Sequence, residues 1–495
     1  MSTAKKFAGQ TAIYGFSTIV QRLLSSLLTP LYTTAYLPSI YSIFSTMFSY
    51  ASILNAVLSF GMETTFFRYL NKDDANKKQV YNNGFWVVFM MSVAFLLLTF
   101  PFSHTIAGFI KIGKDTPQDQ FELYIKYFIG ILVLDAWCVI PFAKLRADGR
   151  PIRYGVVKLV NIIVMVTLNL FFIFAVPYMI RHHSAGSEWF KQWYVQGWIG
   201  YVFLSNLVAS FITFLMLLPE LLQIQIKFDG DMFKSMLIYS WPILIANLSY
   251  IINENLDKLL LGKILDPSIS EHEVGVYSGC AKISIFLSIF IQAFRLGAEP
   301  FFFNHAKNKN SGQTYARIMN YFVITVCITF VAVTTNIQIL KYYVNNRSYW
   351  VGLDVVPPLL FGYVSLGIYM NLSVWYKLSD QTKYGLYISG IGAILTIVLN
   401  VLFIPKYSYM ASAWVSLIAY TVMMILSYIW GQKNYPIPYN VKKNLAYIIS
   451  SILIVFLSFY IFKRNIFAGD ALLLLYALAA FYFERKDLKA IFSKR

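Results

Sequence analysis

The chain is poor in charged residues: Asp, Glu, Lys and Arg make up 13% of its 495 residues, whereas 58% are hydrophobic. Water-soluble domains carry about 25% charged residues, so this composition excludes an ordinary soluble protein. Apolar runs of about 18 to 25 residues recur along the whole length, and each is long enough to cross about 30 Å of hydrocarbon as a helix. We therefore predict an all-α membrane protein with many spans.

Cysteine is scarce, and the motifs of common cofactor sites are missing. Cys138, Cys280 and Cys327 lie far apart inside apolar runs, without the spacing of metal ligands, so we expect neither a disulfide nor a metal site. The pair Gly262-Lys263 lacks the flanking glycine and hydroxyl of a phosphate-binding loop. We therefore expect no cofactor and no ATP site, although the sequence leaves open an ATP-driven subunit elsewhere.

The formal net charge is +18, but the basic residues form short clusters between apolar runs. Without an extended basic face or a recognition motif, they do not predict nucleic-acid binding. We predict about fourteen transmembrane helices, near residues 7–30, 40–64, 83–103, 121–143, 154–179, 194–218, 236–262, 274–300, 315–338, 350–375, 384–404, 409–430, 443–462 and 466–483. The even-numbered loops and both termini hold most of the Lys and Arg residues, which predicts cytoplasmic termini.

Two pairs of similar segments occur in the same order in the two halves. FGMETTFFRYLNK (60–72) resembles LGAEPFFFNHAKNK (296–309), and LRADGRPIRYG (145–155) resembles KLSDQTKYG (377–385). We interpret residues 1–225 and 226–435 as two six-helix bundles, with helices 13 and 14 in residues 436–495. Parallel repeats of this kind are typical of transporters, in which two bundles enclose a cavity with alternating access. A duplicated scaffold without a cavity is the alternative.

Ionisable residues inside the predicted spans are costly in hydrocarbon, so they should face protein or water. Spacing of four residues predicts structural pairs between Glu254 and Lys258 and between Arg295 and Glu299. Three residues near helix ends, Lys126, Lys158 and Glu63, can extend to the interface.

Arg22, Lys282 and Asp135 are the deep charges without an obvious local partner. We expect Arg22 and Lys282 to bind an anionic, phosphate-bearing substrate, with an interhelical salt bridge to Asp135 as the alternative. Asp135, Glu254 and Asp257 are candidates for coupling to protons or sodium. Polar residues in the same helices are candidates for binding the substrate or, alternatively, for helix–helix contacts: Gln21, Ser25, Asn55, Asn247, Asn253 and Gln292.

Three consecutive stretches, NLDKLLLGKILD (255–266), EVGVYSGCAKISIF (273–286) and FRLGAEPFFF (294–303), resemble the middle of bacterial polysaccharide flippases of the O-antigen repeat-unit type. This family belongs to the multidrug, oligosaccharidyl-lipid and polysaccharide exporter (MOP) superfamily. The first helix pair and LRADGRPIRYG resemble it too, so the likeness covers residues 5–435.

The resemblance implies two six-helix lobes plus two helices, in a bacterial inner membrane. It implies ion-coupled transport of an undecaprenyl-diphosphate-linked oligosaccharide from the cytoplasmic to the outer leaflet, in lipopolysaccharide biosynthesis, with a polysaccharide polymerase as a further partner. It also implies a cationic cavity, to which Arg22 in the first helix and Lys282 in YSGCAKI would contribute. Intramembrane acids nearly balance the cations here, which departs from the family pattern.

Three alternatives stay open from the sequence. An ion-coupled drug exporter of the same superfamily usually has twelve helices, and a lipid II flippase differs only in the lipid it moves. A membrane glycosyltransferase or ligase is the enzymatic alternative, but it needs acidic or histidine-bearing loops at the membrane face. Here the loops are short, and His182-His183 reads as part of a solvated one. We therefore predict a transporter and not an enzyme.

Overall fold

The computed structural model describes residues 20, 23–71, 76–113, 116–184, 186–305, 310–379 and 381–492, with the side chains of 296, 297, 299, 300, 303–305 and 486–492 excepted. Almost all of this backbone is helical, because a segment inside a bilayer must satisfy its polar groups internally. The chain is an all-α, multi-pass membrane protein, as the sequence predicted. Contacts divide it into two compact units, Met1–Gly275 and Val276–Arg495.

The first unit contains α1 to α12 and begins α13. The described part of α1 covers 23–35. The others are α2 (Pro38–Ser59), α3 (Met62–Leu70), α4 (Lys77–Thr99), α5 (Ser103–Ile110), α6 (Gln118–Ala147), α7 (Pro151–Leu170), α8 (Val176–Arg181), α9 (Ser187–Trp193), α10 (Gly200–Met216), α11 (Leu218–Leu221), α12 (Gly230–Ile264) and α13 (Ser270–Ala281). A π-helical turn, Phe171–Ala175, joins α7 to α8.

The second unit contains α14 (Ile285–His305), α15 (Ser311–Thr335), α16 (Ile337–Leu340), α17 (Val356–Leu372), α18 (Val374–Leu378), α19 (Lys383–Asn434), α20 (Val441–Phe456) and α21 (Ile466–Phe492). Short 3₁₀ segments at Lys282–Ser284, Lys341–Tyr343 and Arg347–Val355 precede α14 and α17, and a π-helical turn, Leu457–Ile461, follows α20.

Eleven helical segments in the described part of the chain are long and apolar enough to cross a membrane. The longest, α19, is broken at Ser408, whose φ of 49° and ψ of −139° are not helical, and Pro405 removes a backbone donor just before the break. Counting its two arms separately, and adding the 17-residue apolar helix α10, gives thirteen candidate crossings in that part. The first predicted span, 7–30, lies mostly outside the described residues, and the prediction of about fourteen helices is consistent with these thirteen.

In the first unit, α6 is the central helix and packs against α2, α4, α7 and α10. Helix α12 packs along α2 and α3, where Thr65 Oγ1 and Ser240 Oγ lie 2.7 Å apart. In the second unit, α17 packs against α19 and α15, and α15 contacts both α20 and α21. Trp375, 1% exposed, is the largest side chain of a core formed with Tyr376, Ile388, Tyr420 and Met423.

The last two helices are fixed within the second unit by polar contacts. Glu484 of α21 is buried and accepts hydrogen bonds from Lys443 Nζ at 2.7 Å and from Tyr447 OH at 2.9 Å. Asn336, next to α15, donates to Asp470 Oδ1 at 2.9 Å. Buried charges are stable when they are paired and hydrogen-bonded in this way. The predicted helices 13 and 14, which are α20 and α21 of the structure, are therefore part of the packed second unit.

Candidate functional site

A cavity of about 750 Å³ lies within the first unit, among α2, α3, α6, α7, α10 and α12. Four ionisable residues line it: Glu63, Asp135, Arg146 and Lys158. Amides and hydroxyls complete the polar lining at Ser52, Asn55, Ser59, Thr64, Asn161, Asn206, Ser210, Thr213 and Asn247. We call this space the polar cavity.

Each helix brings its polar residues to the cavity through helical spacing. On α7, Tyr154, Lys158 and Asn161 follow at intervals of four and three residues, so they share one face. On α6, Asp135 and Arg146 lie on the face that Cys138 and Phe142 also occupy. The polar cavity is therefore made of single polar stripes on otherwise apolar helices.

Two of the charged residues that line the polar cavity, Arg146 and Glu63, form an ion pair. The Arg146 guanidinium donates to Glu63 Oε1, and it also lies 5.0 Å from the centroid of the Phe67 ring. The pair joins α3 to α6. Glu63 therefore has a counter-ion on a neighbouring helix.

Asp135 and Lys158 lie deeper, on neighbouring helices. Counting 1.5 Å per residue, Asp135 is roughly 18 Å from the end of α6 at Ala147, and Lys158 is roughly 10 Å from the start of α7 at Pro151. The two side chains interact electrostatically. The Lys158 ammonium lies 4.2 Å from the centroid of the Phe142 ring, a cation–π contact. Lys158 can therefore attract an anionic group and Asp135 a small cation, at different depths of one cavity.

Several of the other polar groups are held by hydrogen bonds to the helices that carry them. Asn206 Nδ2 donates to the Val202 carbonyl at 2.8 Å, and Thr213 Oγ1 donates to the Ala209 carbonyl at 2.8 Å. Asn161 Nδ2 donates in turn to Thr213 Oγ1 at 2.9 Å. These bonds fix the side chains and use some of their donors, while carbonyl oxygens such as Asn206 Oδ1 remain as acceptors for a polar ligand.

Several residues singled out from the sequence meet in the polar cavity: Asn55, Glu63, Asp135 and Asn247. Lys158 was assigned to the interface from its position near a helix end, but the structure places it in the cavity wall. Its spacing with Tyr154 and Asn161 is the signal that identifies this face.

Other candidates on α12 are placed elsewhere in the first unit. The Lys258 ammonium is 3.1 Å from Asp257 Oδ1 and 3.1 Å from the Glu254 backbone carbonyl. Lys258 thus has a carboxylate contact with Asp257, while the pairing with the Glu254 side chain stays a prediction from the sequence. Asn253 and Asp257 are buried, and Glu254 is half-buried.

In the second unit, Lys282 begins the 3₁₀ segment that separates α13 from α14, and it is half-buried. Gln292 Nε2 donates to Ser288 Oγ at 3.3 Å. Arg295 lines a small apolar pocket with Phe322 and Asn371. The side chain of its expected partner Glu299, and the residues Gln21 and Arg22, lie outside the part that the structure describes.

His104, Asp119 and Glu122 have ligand atoms within 4.8 Å of one another, a geometry that suits a metal ion. Both Glu122 oxygens already have partners: Lys126 Nζ lies 2.7 Å from Oε1 and His104 Nδ1 lies 2.9 Å from Oε2. Gln118 Nε2 donates to the His104 carbonyl at 3.1 Å. These contacts attach the short helix α5 to α6, which is a structural role.

Comparison with known proteins places the fold among membrane transporters. The MatE family model matches residues 242–402. The structure is similar to that of the lipid II flippase MurJ in an inward closed conformation, with a TM-score of 0.72 and 12% identity over 96% of this chain and 100% of that one. No curated protein sequence matches the chain.

Multidrug exporters have a similar fold. An inward-facing multidrug resistance MATE family transporter of the MOP superfamily gives a TM-score of 0.64 and 13% identity over 86% of this chain and 94% of that one. A MATE structure in complex with MaL6 gives a TM-score of 0.62 and 12% identity, over 86% and 95%. The chain thus has the fold of MATE transporters and of the lipid II flippase.

Proposed function

We propose that the protein is a flippase of the MOP superfamily that moves an undecaprenyl-diphosphate-linked oligosaccharide from the cytoplasmic to the outer leaflet. The observation that carries this proposal is the polar cavity, in which Asp135 and Lys158 lie deep within membrane-spanning helices. Each hydroxyl stripped of water in hydrocarbon costs about 2 to 7 kcal/mol. A wet, hydrogen-bonding cavity removes most of this barrier for a sugar head group.

The charges of the polar cavity suit a phosphate-bearing substrate. Lys158 has its ammonium over an aromatic ring, and an anionic diphosphate offers it a charged partner. Asp135 is the candidate that binds a proton or sodium and couples transport to an ion gradient. Arg22 and Lys282 remain proposed as further cations for the substrate. We place the protein in a bacterial inner membrane, with both termini in the cytoplasm and a polymerase as a downstream partner.

The extent of similarity supports a lipid flippase over a drug exporter. The alignment with the lipid II flippase covers 96% of this chain, whereas those with the first two MATE structures cover 86%. An exporter with twelve helices has no counterpart of the last two helices, α20 and α21. Lipid II itself is the second candidate substrate, because the flippase that carries it is similar over the full length of both chains.

Deletion of the gene, followed by analysis of lipid-linked oligosaccharides in each leaflet, tests the proposal. We expect one oligosaccharide repeat unit to accumulate in the cytoplasmic leaflet, while drug tolerance stays unchanged. Accumulation of lipid II would favour the second candidate. Unchanged lipid pools with altered drug tolerance would indicate an exporter and contradict both.

Complementation of the deletion strain with variants tests the site. We expect Lys158→Met to lose at least about 90% of flipping, because the diphosphate loses its charged partner. Lys126→Met is the matched control, since Lys126 also lies in an apolar helix but pairs with Glu122 at 2.7 Å. Equal activity of the two variants at equal membrane levels would remove Lys158 from the site.

A further inference from the structure

A second cavity of about 610 Å³ lies in the first unit, among α2, α4, α5, α6 and α12. Its lining is almost entirely apolar and includes Met47, Leu54, Phe109, Ile125, Ile129 and Leu256. We call it the apolar cavity. Cavities with such linings do not hold water and accept apolar ligands.

The two cavities adjoin each other, because Ala51 and Phe128 line both. Both side chains are buried, at 7% and 4% exposure, so their remaining surface faces the cavities. The Phe128 ring lies 5.1 Å from that of Phe48, which lines the polar cavity. Ala51 and Phe128 therefore belong to the wall that divides the two cavities.

Helix α2 presents one face to each cavity. Ser52, Asn55 and Ser59 line the polar cavity, at intervals of three and four residues. Met47 and Leu54 line the apolar cavity, and they lie seven residues, or about two helical turns, apart. Ala51 lies between these two faces and lines both cavities. One side of α2 is therefore polar and the other apolar, and the two sides meet at Ala51.

Helix α6 repeats this arrangement from the opposite side. Asp135 and Arg146 lie on the face that lines the polar cavity, whereas Ile125, Ile129 and Leu132 line the apolar cavity at intervals of four and three residues. Phe128 belongs to both faces. Since α2 and α6 change character at the same wall, the first unit offers adjoining compartments for the two ends of an amphiphile.

The outer wall of the apolar cavity is the short helix α5. His104 attaches α5 to Glu122 of α6 at 2.9 Å. At the other end of α5, Lys263 of α12 donates to the Phe109 carbonyl and, at 3.3 Å, to the Lys111 carbonyl. Phe109 is 71% exposed. The cavity therefore has a wall held by polar contacts, with an apolar outer surface suited to contact with lipid.

We propose that the apolar cavity binds the segment of the polyprenyl chain next to the diphosphate, while the diphosphate occupies the polar cavity. This inference rests on the proposed function and adds a tail site to it. Lipid tails are as apolar as the lining, so the cavity alone does not draw a polyprenyl chain out of lipid. The bound head group holds the chain beside the cavity at high effective concentration, so contacts of the tail with the lining add to the affinity of the whole substrate.

Binding to the purified full-length protein in detergent tests the tail site with two probes, undecaprenyl diphosphate and inorganic diphosphate. Leu54→Trp fills the apolar cavity, and Leu98→Trp is the control, since Leu98 is 69% exposed on α4 and lines neither cavity. We expect Leu54→Trp to weaken undecaprenyl diphosphate binding at least about tenfold while inorganic diphosphate binds as in the wild type. Leu98→Trp should leave both unchanged.

Leu256→Trp fills the same cavity from α12 and gives a second variant if Leu54→Trp does not fold. Equal binding of undecaprenyl diphosphate to the wild type and the filled variants would overturn the tail site but leave the flippase proposal standing. If the wild type bound undecaprenyl diphosphate no better than inorganic diphosphate, and failed to flip lipid-linked oligosaccharide, both proposals would be wrong.

A photoreactive residue at position 256 distinguishes the substrate tail from bulk lipid. Crosslinking in membranes supplied with undecaprenyl diphosphate should capture the polyprenyl chain in preference to diacyl phospholipid. Capture of phospholipid alone would assign the apolar cavity to acyl chains of the bilayer and overturn the proposal.

Discussion

Charged side chains in the spans of the first unit have partners or face the polar cavity, and some do both. Glu63 pairs with Arg146 and Asp257 with Lys258, while Glu63, Arg146, Asp135 and Lys158 all line the polar cavity. A charge in hydrocarbon requires a partner or water, so we propose the deeper residues Asp135 and Lys158 as the candidates for contact with water and substrate.

Replacement of Asp135 by Asn should uncouple transport from the ion gradient. An amide keeps the size of the side chain but can neither bind a proton nor attract a cation at this depth. In proteoliposomes, we expect an imposed proton or sodium gradient to stimulate the wild type but not the variant. Glu122→Gln is the control on the same helix, since Glu122 is paired with Lys126 outside the polar cavity, and it should keep the stimulation.

Glu220 should contribute to stability through its contact with Arg153. Glu220 is 2% exposed, and its Oε2 accepts from the Arg153 guanidinium at 2.9 Å. Glu220→Ala leaves Arg153 without this partner and should lower the free energy of unfolding by about 1 to 3 kcal/mol. Chemical denaturation in detergent measures the change.

The exposed pair between Lys191 and Glu188 provides the comparison. Lys191 donates to Glu188 Oε1 at 2.6 Å and holds the pKa of this carboxyl below its usual range. Both residues lie outside the membrane-spanning segments, and solvent screens their attraction. We expect Lys191→Ala to leave stability unchanged, and a loss equal to that of Glu220→Ala would contradict the importance of burial.

At the scale of elements, two segments that align in sequence have different backbones. FGMETTFF breaks the helix between α2 and α3, where Phe60 and Gly61 adopt φ of 48° and 65°. The aligned Leu296-Gly297 lies inside the continuous helix α14. The helical path from α13 to α14 is interrupted earlier, by the 3₁₀ segment at Lys282–Ser284. The two segments therefore resemble each other in sequence, but the helices that carry them break at different positions.

The break at Gly61 should be intolerant of a side chain for two separable reasons. Its positive φ disfavours any L-residue by about 1 to 2 kcal/mol, and a Cβ would also lie 3.0 Å from Ile243 Cγ2 of α12. Gly197 has a φ of 75° but no atom within 4 Å of an added Cβ.

We expect Gly197→Ala to reduce stability by about 1 to 2 kcal/mol. Gly61→Ala should cost about 1 to 3 kcal/mol more, because of overpacking against α12. Denaturant titrations of the two variants measure the difference. Equal losses would mean that α12 yields to the added methyl group without cost.

At the scale of the whole molecule, orientation in the membrane decides the direction of transport. The distribution of Lys and Arg predicts that the loop between α6 and α7 faces the cytoplasm and that the loop between α9 and α10 faces outward. The described cysteines Cys138, Cys280 and Cys327 are all buried, so replacing them leaves a suitable background for single exposed cysteines.

In that background, Gln196→Cys should react with a membrane-impermeant maleimide added to intact cells. Asp148→Cys should react only after the membrane is opened, because it lies in the loop between α6 and α7. Both positions are exposed to solvent in the structure. The reverse pattern would invert the orientation, and with it the direction proposed for the flippase.

The sequence alone was sufficient to predict the class of protein and most of its membrane-spanning helices. Hydrophobic length is a local property, and a bilayer admits few structures other than helices, so apolar runs translate directly into spans. It also singled out residues such as Asp135 and Asn55, because polar side chains in apolar helices are conspicuous. Substrate identity, coupling ion and the repeat remain predictions.

Only the tertiary structure decided which faces meet. Lys158 appeared to be an interfacial lysine until the packing of α7 against α6 and α10 placed it in the polar cavity with Asp135. Likewise, Ala51 and Phe128 carry no polar signal, yet they line both cavities. Periodicity gives the face of one helix, but whether that face meets another helix, a cavity or lipid depends on side-chain packing between segments far apart in the chain.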